Sequence, residues 1–343
     1  MHKLKKDESK ETHSLSLVVC CSALNYVYAT LSGIIGNHNV VCLNQEIADW
    51  IEVHPHDGLR EIFVCDFRKL SLRENLNFIE FYRQKKIIKK DYEQVFLSFS
   101  SGWHFVWLDR ILSFSTKNLV LVDDGLGNIT ELRTKFYLLR KLISLVVFWK
   151  SSGFSKYRNF HVKFVKKIVT IYDLDLYEKP YSDDVHVINI ADKLSDYIRK
   201  NTLKNKKNCQ SYGVYLQSER GNYNNDHTAI VTQLLENIHH LQEKTSLNWF
   251  VKVKASDPLK QKYLSAGLNL IESSINQELL MNNQITDICC RHDTFLLNAL
   301  ILNIPVKIYL RKDEKSKINY DEKIKVINKQ LNKSSRAVDE IDL

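Results

Sequence analysis

The chain has 343 residues, of which 44% are hydrophobic and 26% charged, with only 10 glycines and 4 prolines. That is more length than one compact domain of ordinary size needs, so two domains around two cores are expected. The composition excludes a stapled mini-protein and lacks the polarity that keeps a chain disordered.

In chain order, apolar runs at 14–23 (SLSLVVCCSA), 40–44 (VVCLN), 61–67 (EIFVCDF), 94–99 (QVFLSF) and 118–124 (NLVLVDD) predict strands, with helical stretches between them. Continuous apolar runs alternating with helices are the rhythm of an α/β domain built on a parallel sheet. The first run reads as a buried strand rather than a signal-peptide core, because acidic residues interrupt the leader MHKLKKDESKETH. The longest apolar run, LISLVVFW at 142–149, falls short of the roughly 18 residues that span a bilayer. A cytoplasmic protein that does not cross a membrane is the expectation.

Net charge is +9, from 49 basic and 40 acidic residues, and it is concentrated. Between Leu132 and Tyr172 there is no Asp or Glu, while Arg133, Lys135, Arg140, Lys141, Lys150, Lys156, Arg158, Lys163, Lys166 and Lys167 supply +10. Aromatic residues such as Phe136, Phe148, Trp149 and Phe160 are interleaved with these cations. Such a segment can rest peripherally on the inner face of the cytoplasmic membrane or grip an anionic glycan; the alternative is a helix with a core face and solvated lysines. Nucleic acid is not expected as a partner, because no helix-turn-helix, finger or RNP-like motif accompanies the charge.

A polar stretch, RKNTLKNKKNCQS (199–211), then suggests a linker. Beyond it, GVYLQS (213–218), NWFVKVK (248–254), LNLIES (268–273), ITDICC (285–290) and VKIYL (306–310) predict strands, with helices over 226–243 and 294–303. This is a second α/β domain. The expected limits are 1–200 for the first domain, 201–320 for the second and 321–343 for a charged tail, read as a surface helix fraying at SSRAVDEIDL. Two such domains would place a ligand at the carboxyl ends of their strands.

The seven cysteines (20, 21, 42, 65, 209, 289 and 290) sit mostly in apolar runs and include no C-x-x-C pair. Reduced, buried thiols fit better than a disulfide framework or a zinc site. With no G-x-S-x-G elbow and no phosphate-loop motif, Ser or Cys hydrolases and phosphate-loop kinases are set aside.

The sharpest local feature is KNLVLVDDGLGN, where an apolar strand runs into Asp123, Asp124 and Gly125. Paired carboxylates at a strand end repel, so one can be raised towards the pKa of a general base, and glycine lets a substrate approach the backbone. An ordinary Asp-Gly turn is the competing reading. Asp173-Leu174-Asp175 matches D-x-D, the spacing with which carboxylates hold a metal at a diphosphate, but three-residue matches are common and no metal is expected.

SLSLVVCCSALNYVYATLSGI, DYEQVFLSFSSGWH with NLVLVDDGLGN, and then GVYLQSERGNYN, NWFVKVKASDP, SINQELL and ITDICCRHDTFLLNALILNIPVKIYL stand in a particular order over residues 14–310. That order resembles the bacterial sialyltransferases and polysialyltransferases of lipooligosaccharide and capsule synthesis, of the glycosyltransferase family 52 type. The resemblance implies a GT-B fold, with two Rossmann-like domains facing each other across a cleft. It also implies a CMP-activated donor such as CMP-sialic acid, an oligosaccharide or polysaccharide acceptor, and inverting transfer without a metal or other cofactor.

By the same resemblance Asp123 is the general base, with Asp124 and Gly125 shaping its site. Glu278 accepts from the donor's nucleoside, unless it is a surface or capping residue. Asp293 and Thr294 stand where the family has two small hydroxyl residues that hold phosphate at a helix start. Asp293 departs from that pair, since a carboxylate repels phosphate, and can be an N-cap. The family's His-Pro histidine, which meets the departing phosphate, is missing from FVKVKASDP. Lys254 there, as a fixed cation, or His292 in CRHDT is the candidate replacement, and Lys252 is counted with the donor-binding residues. The literal His54-Pro55 precedes the acidic motif and is read as loop, with His56 and Asp57 in a turn. A UDP-hexose-dependent enzyme of the same fold, and a non-catalytic subunit of a surface-polysaccharide assembly complex, are the alternatives.

Overall fold

The computed structural model describes residues 15–64, 92–98, 118–122, 165–173, 185–204, 211–216, 227–253, 259–271, 284–291, 294–311, 320–334 and 338–341, apart from Cys21 and Leu43. Among them are thirteen strands and seven helices. Those up to Ile168 belong to one compact unit and those from Val169 onward to another. No described helix is long and apolar enough to cross a membrane.

The first sheet comprises β1 (Leu15–Cys20), β2 (Asn37–Cys42), β3 (Leu59–Val64), β4 (Gln94–Ser98), β5 (Leu119–Val122), β6 (Val165–Thr170) and β7 (His186–Asn189). Its order is β3-β2-β1-β4-β5-β6-β7. The pairs from β3 through β5 are parallel, with Val18 opposite both Val40 and Phe96. Leu17, Val18, Val19, Val40, Val41 and Phe96 are fully shielded, which is why these strands read as unbroken apolar runs. Helix α1 (Ala23–Leu31) follows β1, and α2 (Gln45–Val53) follows β2. The N-cap Asn44 accepts the Ile47 N–H at 2.9 Å, which sets where α2 begins.

The second sheet comprises β8 (Tyr212–Leu216), β9 (Asn248–Lys252), β10 (Leu270–Ile271), β11 (Ile285–Cys290), β12 (Lys307–Arg311) and β13 (Val338–Ile341). All its pairs are parallel, in the order β10-β9-β8-β11-β12-β13. Its helices are α4 (His227–Thr245), α5 (Lys260–Ser265), α6 (Thr294–Ile301) and α7 (Tyr320–Lys333). Leu234, Ile238 and Leu241 of α4 recur at helical spacing and pack with Tyr215, Trp249, Val251, Cys289 and Tyr309. Trp249 lies against Gly213, and its indole N–H donates to Thr245 Oγ1 at 2.9 Å.

Three sequence expectations change. The linker stretch 199–211 is helical in its first part, because α3 (Ala191–Lys204) runs through it. Within SSRAVDEIDL, read as a fraying end, Val338–Ile341 adds strand β13 beside β12, with Ile341 buried. The last part of the basic segment is core, since β6 extends the first sheet and Ile168, Val169, Ile171 and Tyr172 are buried. The Tyr172 hydroxyl donates to Asn298 of α6 at 2.8 Å. The remainder of the segment, 132–164, lies outside the described residues.

A Cβ at Gly213 would stand 2.5 Å from the Trp249 ring, which is packed on every side. Gly213→Ala is therefore expected to destabilise the second domain by about 1–3 kcal/mol. Urea unfolding followed by tryptophan fluorescence measures this, and an unchanged midpoint would contradict the packing.

Candidate functional site

Both sheets repeat one topology, in which the strand order reverses once: between β1 and β4 in the first, and between β8 and β11 in the second. The helices that follow two such neighbouring strands leave in opposite directions, so a crevice opens outside their carboxyl ends. Functional side chains are therefore sought at those ends.

In the first sheet the strand β5 ends at Val122, and Asp123 is the next residue along the chain. Asp123, Asp124 and Gly125 lie outside the described residues, as do Lys254, Glu278, His292 and Asp293. Thr294 is the first residue of α6, where the sequence expects a helix start; its side chain is not among those described. Lys252 is the last residue of β9 and is buried, with only 7% of its surface exposed.

Beside Lys252 the second sheet presents two further cations that sequence reasoning did not select. Arg291 directly follows β11, and Arg311 closes β12. Arg311 is 4% exposed. Its position two residues beyond Tyr309 puts it on the sheet face that carries Tyr309, Cys289 and Tyr215, under α4. From there the guanidinium crosses β11 to the end of β8. Nη2 donates to the Leu216 carbonyl at 2.9 Å, Nη1 donates to the Tyr215 hydroxyl, and the guanidinium carbon stands 4.2 Å from the centre of the Tyr215 ring. The Asn237 side chain of α4 donates to the same hydroxyl at 3.0 Å. Burial raises the Tyr215 pKa above its usual value, while the charge of Arg311 and, more weakly, of Arg291 pulls it down. The phenol is therefore neutral at physiological pH, and nothing in this group offsets the arginine's charge. The signal for Arg311 in the sequence is faint: one arginine closing the apolar run VKIYL.

Other candidates resolve into structural roles. His54 caps α2: its ring stacks on Trp50 with centroids 4.5 Å apart, and Nδ1–H donates to the Trp50 carbonyl at 3.0 Å. Asp57 and Gly58 form the turn that follows. His38 is buried, its Nδ1–H donating to the Gly36 carbonyl at 2.8 Å, and burial lowers its pKa. Asp173 of the D-x-D match is exposed and pairs with Lys333 at 3.5 Å, while Asp175 lies outside the described residues. Among the described residues no group of three or more His, Cys, Asp or Glu side chains is placed to hold a metal.

The geometry has its likeness among solved structures. A protein of Listeria monocytogenes provisionally assigned as UDP-N-acetylglucosamine 2-epimerase superposes with a TM-score of 0.56 over 93% of this chain and 88% of its own, at 9% identity. A glycosyltransferase family 9 protein of Veillonella parvula aligns over 96% of this chain and 86% of its own, at 8% identity and a TM-score of 0.40. No family model matches the chain, and no curated protein matches its sequence. The Listeria likeness is one of fold. The chain is an α/β protein of the GT-B type, with two Rossmann-like domains.

Cys20, Cys42, Cys289 and Cys290 are buried, and burial raises the thiols of Cys42 and Cys289 to about 12. Thiols so placed are neither nucleophiles nor metal ligands at neutral pH. Iodoacetamide at pH 8 is expected to leave Cys42 and Cys289 unmodified in the native protein and to label both in urea. Peptide mass mapping reads the result, and rapid native labelling of Cys289 would contradict its burial.

Proposed function

We propose that the chain is a glycosyltransferase that takes a nucleotide-activated sugar, with a CMP-linked sialic acid or related acidic sugar as donor and a cell-surface oligosaccharide or polysaccharide as acceptor. The observation that carries the nucleotide part is the cationic carboxyl edge of the second sheet. Lys252, Arg291 and Arg311 stand at the ends of β9, β11 and β12, around the one place where the strand order reverses. A phosphate-bearing ligand suits such an edge, because the crevice admits it and the cations offset its charge. The choice of a CMP donor rests on the motif order in the sequence.

In this reading Asp123 takes the proton from the acceptor hydroxyl as the new glycosidic bond forms. A sugar hydroxyl is a weak nucleophile at neutral pH, so moving its proton onto a carboxylate at the moment of attack lowers the barrier. The departing nucleotide carries the opposing negative charge, and the cations of the second sheet, together with Lys254 or His292, stabilise it. Transfer inverts the sugar and proceeds without a metal. Glu278 binds the nucleoside and Thr294 the phosphate. The cations between Arg133 and Lys163 hold the protein against an anionic membrane face or an anionic glycan.

A thermal-shift panel of CMP, CDP, UMP, UDP and GDP, each with and without EDTA, tests the donor class. CMP at a hundredfold excess over its Kd is expected to add about 2.7 kcal/mol, and hence a few degrees of Tm, with EDTA making no difference. A shift with UDP or UMP alone moves the donor to a UDP-hexose, the fold of the Listeria protein being shared with UDP-sugar chemistry. No shift with any nucleotide favours the non-catalytic subunit.

Asp123→Asn is expected to lower transfer by about 100- to 10,000-fold while CMP binding and melting temperature hold. Full transfer by that variant would end the assignment of the base. For the membrane contact, co-flotation with vesicles containing phosphatidylserine should weaken when Lys156, Arg158 and Lys163 are changed to Glu. Unaltered flotation would refute it.

A further inference from the structure

Arg311 has a specific electrostatic problem. A guanidinium taken out of water loses its hydration, and this cost is offset inside a protein only by a counter-charge or a full set of acceptors. Arg311 is 4% exposed, and among the described residues its partners are all neutral: the Tyr215 hydroxyl and ring and the Leu216 carbonyl. Its Nε is buried without an acceptor. Of the five N–H donors of a guanidinium, two are placed, which leaves three.

The acids described on the neighbouring strands do not supply the missing charge. Asp287 shares the face of Arg311 but sits level with Lys307, four residues back, or about 13 Å along the strand. Asp339 pairs with Lys307 at 3.1 Å. Glu340 is exposed, on the face opposite to that of Ile341, the residue beside Arg311. Arg291, from the end of β11, adds a second positive charge to the field at Tyr215.

The position is as informative as the charge. Arg311 reaches across β11 and fixes itself to the last carbonyl of β8, the two strands between which the order of this sheet reverses. Among the described residues, a cation held there by neutral acceptors is oriented without being neutralised.

We propose that Arg311 is the phosphate anchor of the second domain, with Tyr215 as the positioning residue that holds its guanidinium. The ligand class is a nucleoside mono- or diphosphate, bound through its phosphate oxygens by the remaining N–H donors, the forked geometry for which arginine is suited. This rests on the nucleotide reading above and adds to it a residue that the sequence motifs did not select.

The test compares nucleotide with nucleoside on the full chain by calorimetry: CMP against cytidine, and UMP and UDP against uridine. Wild type is expected to bind the better nucleotide at least tenfold tighter than its nucleoside. Arg311→Met should remove that preference, lowering nucleotide affinity tenfold or more and leaving nucleoside affinity within twofold. Arg311→Lys, which keeps the charge and a fold close to wild type but loses the fork, should retain only part of the preference, and Tyr215→Phe should reduce it at unchanged nucleoside affinity. Should Arg311→Met fail to fold, Arg311→Lys and Tyr215→Phe decide. Variants that melt lower but keep the wild-type ratio would make Arg311 a structural clamp and overturn the proposal, with the nucleotide reading intact. A wild type that binds none of these nucleotides would overturn both.

Discussion

Parallel pairing is the constraint on which the rest depends. Once β1, β2 and β4, or β8, β9 and β11, align in the same direction, every strand of that part of the sheet ends on one edge, and the connecting helices must return over the faces. The order then has to reverse somewhere, because chain is laid down outward from β1 or β8 on one side before it is laid down on the other. At that reversal the returning helices diverge and leave backbone ends open to a ligand. Each domain therefore acquires a binding edge from topology, before any side chain is chosen. Chemistry enters only through which residues close the strands: Lys252, Cys290 with Arg291, and Arg311 in the second sheet, and Val122 with Asp123 along the chain of the first.

How much of this the sequence shows follows from where each strand sits. The inner strands β1, β4, β8 and β11 are largely buried and so consist mostly of apolar residues, LSLVVC or ITDICC, which pattern reading finds to within about three residues. Some of the strands farther out do not announce themselves. Val338–Ile341 is VDEI, two acids in four residues, and becomes a strand because β12 offers it a free edge, not through its own pattern. Val165–Thr170, VKKIVT, is concealed in the same way by its lysines. Tertiary pairing outweighs local composition at both places.

The candidate site divides along a similar line. An acidic pair after an apolar strand is a local signal, and so is a lysine closing one; Asp123 and Lys252 are legible for that reason. Arg311 is not, since its meaning depends on the register that brings it level with the end of β8 two strands away, and on the tyrosine that receives it. Read as sequence alone, it is one arginine after the apolar run VKIYL. In the fold it is one of the least exposed charges of the second sheet.

The neutrality of the group around Arg311 has a further physical consequence. A carboxylate beside it would hold the guanidinium at least as firmly, but would spend its charge on an internal pair and leave little field for a ligand. Phenol, carbonyl and aromatic face orient the guanidinium with no counter-charge among the described residues. Burial keeps the Tyr215 phenol protonated, and Asn237 and Arg311 together hold its oxygen in place, so the arrangement does not depend on pH near neutrality. Orientation is then fixed before an anion arrives, and little reorganisation opposes its binding.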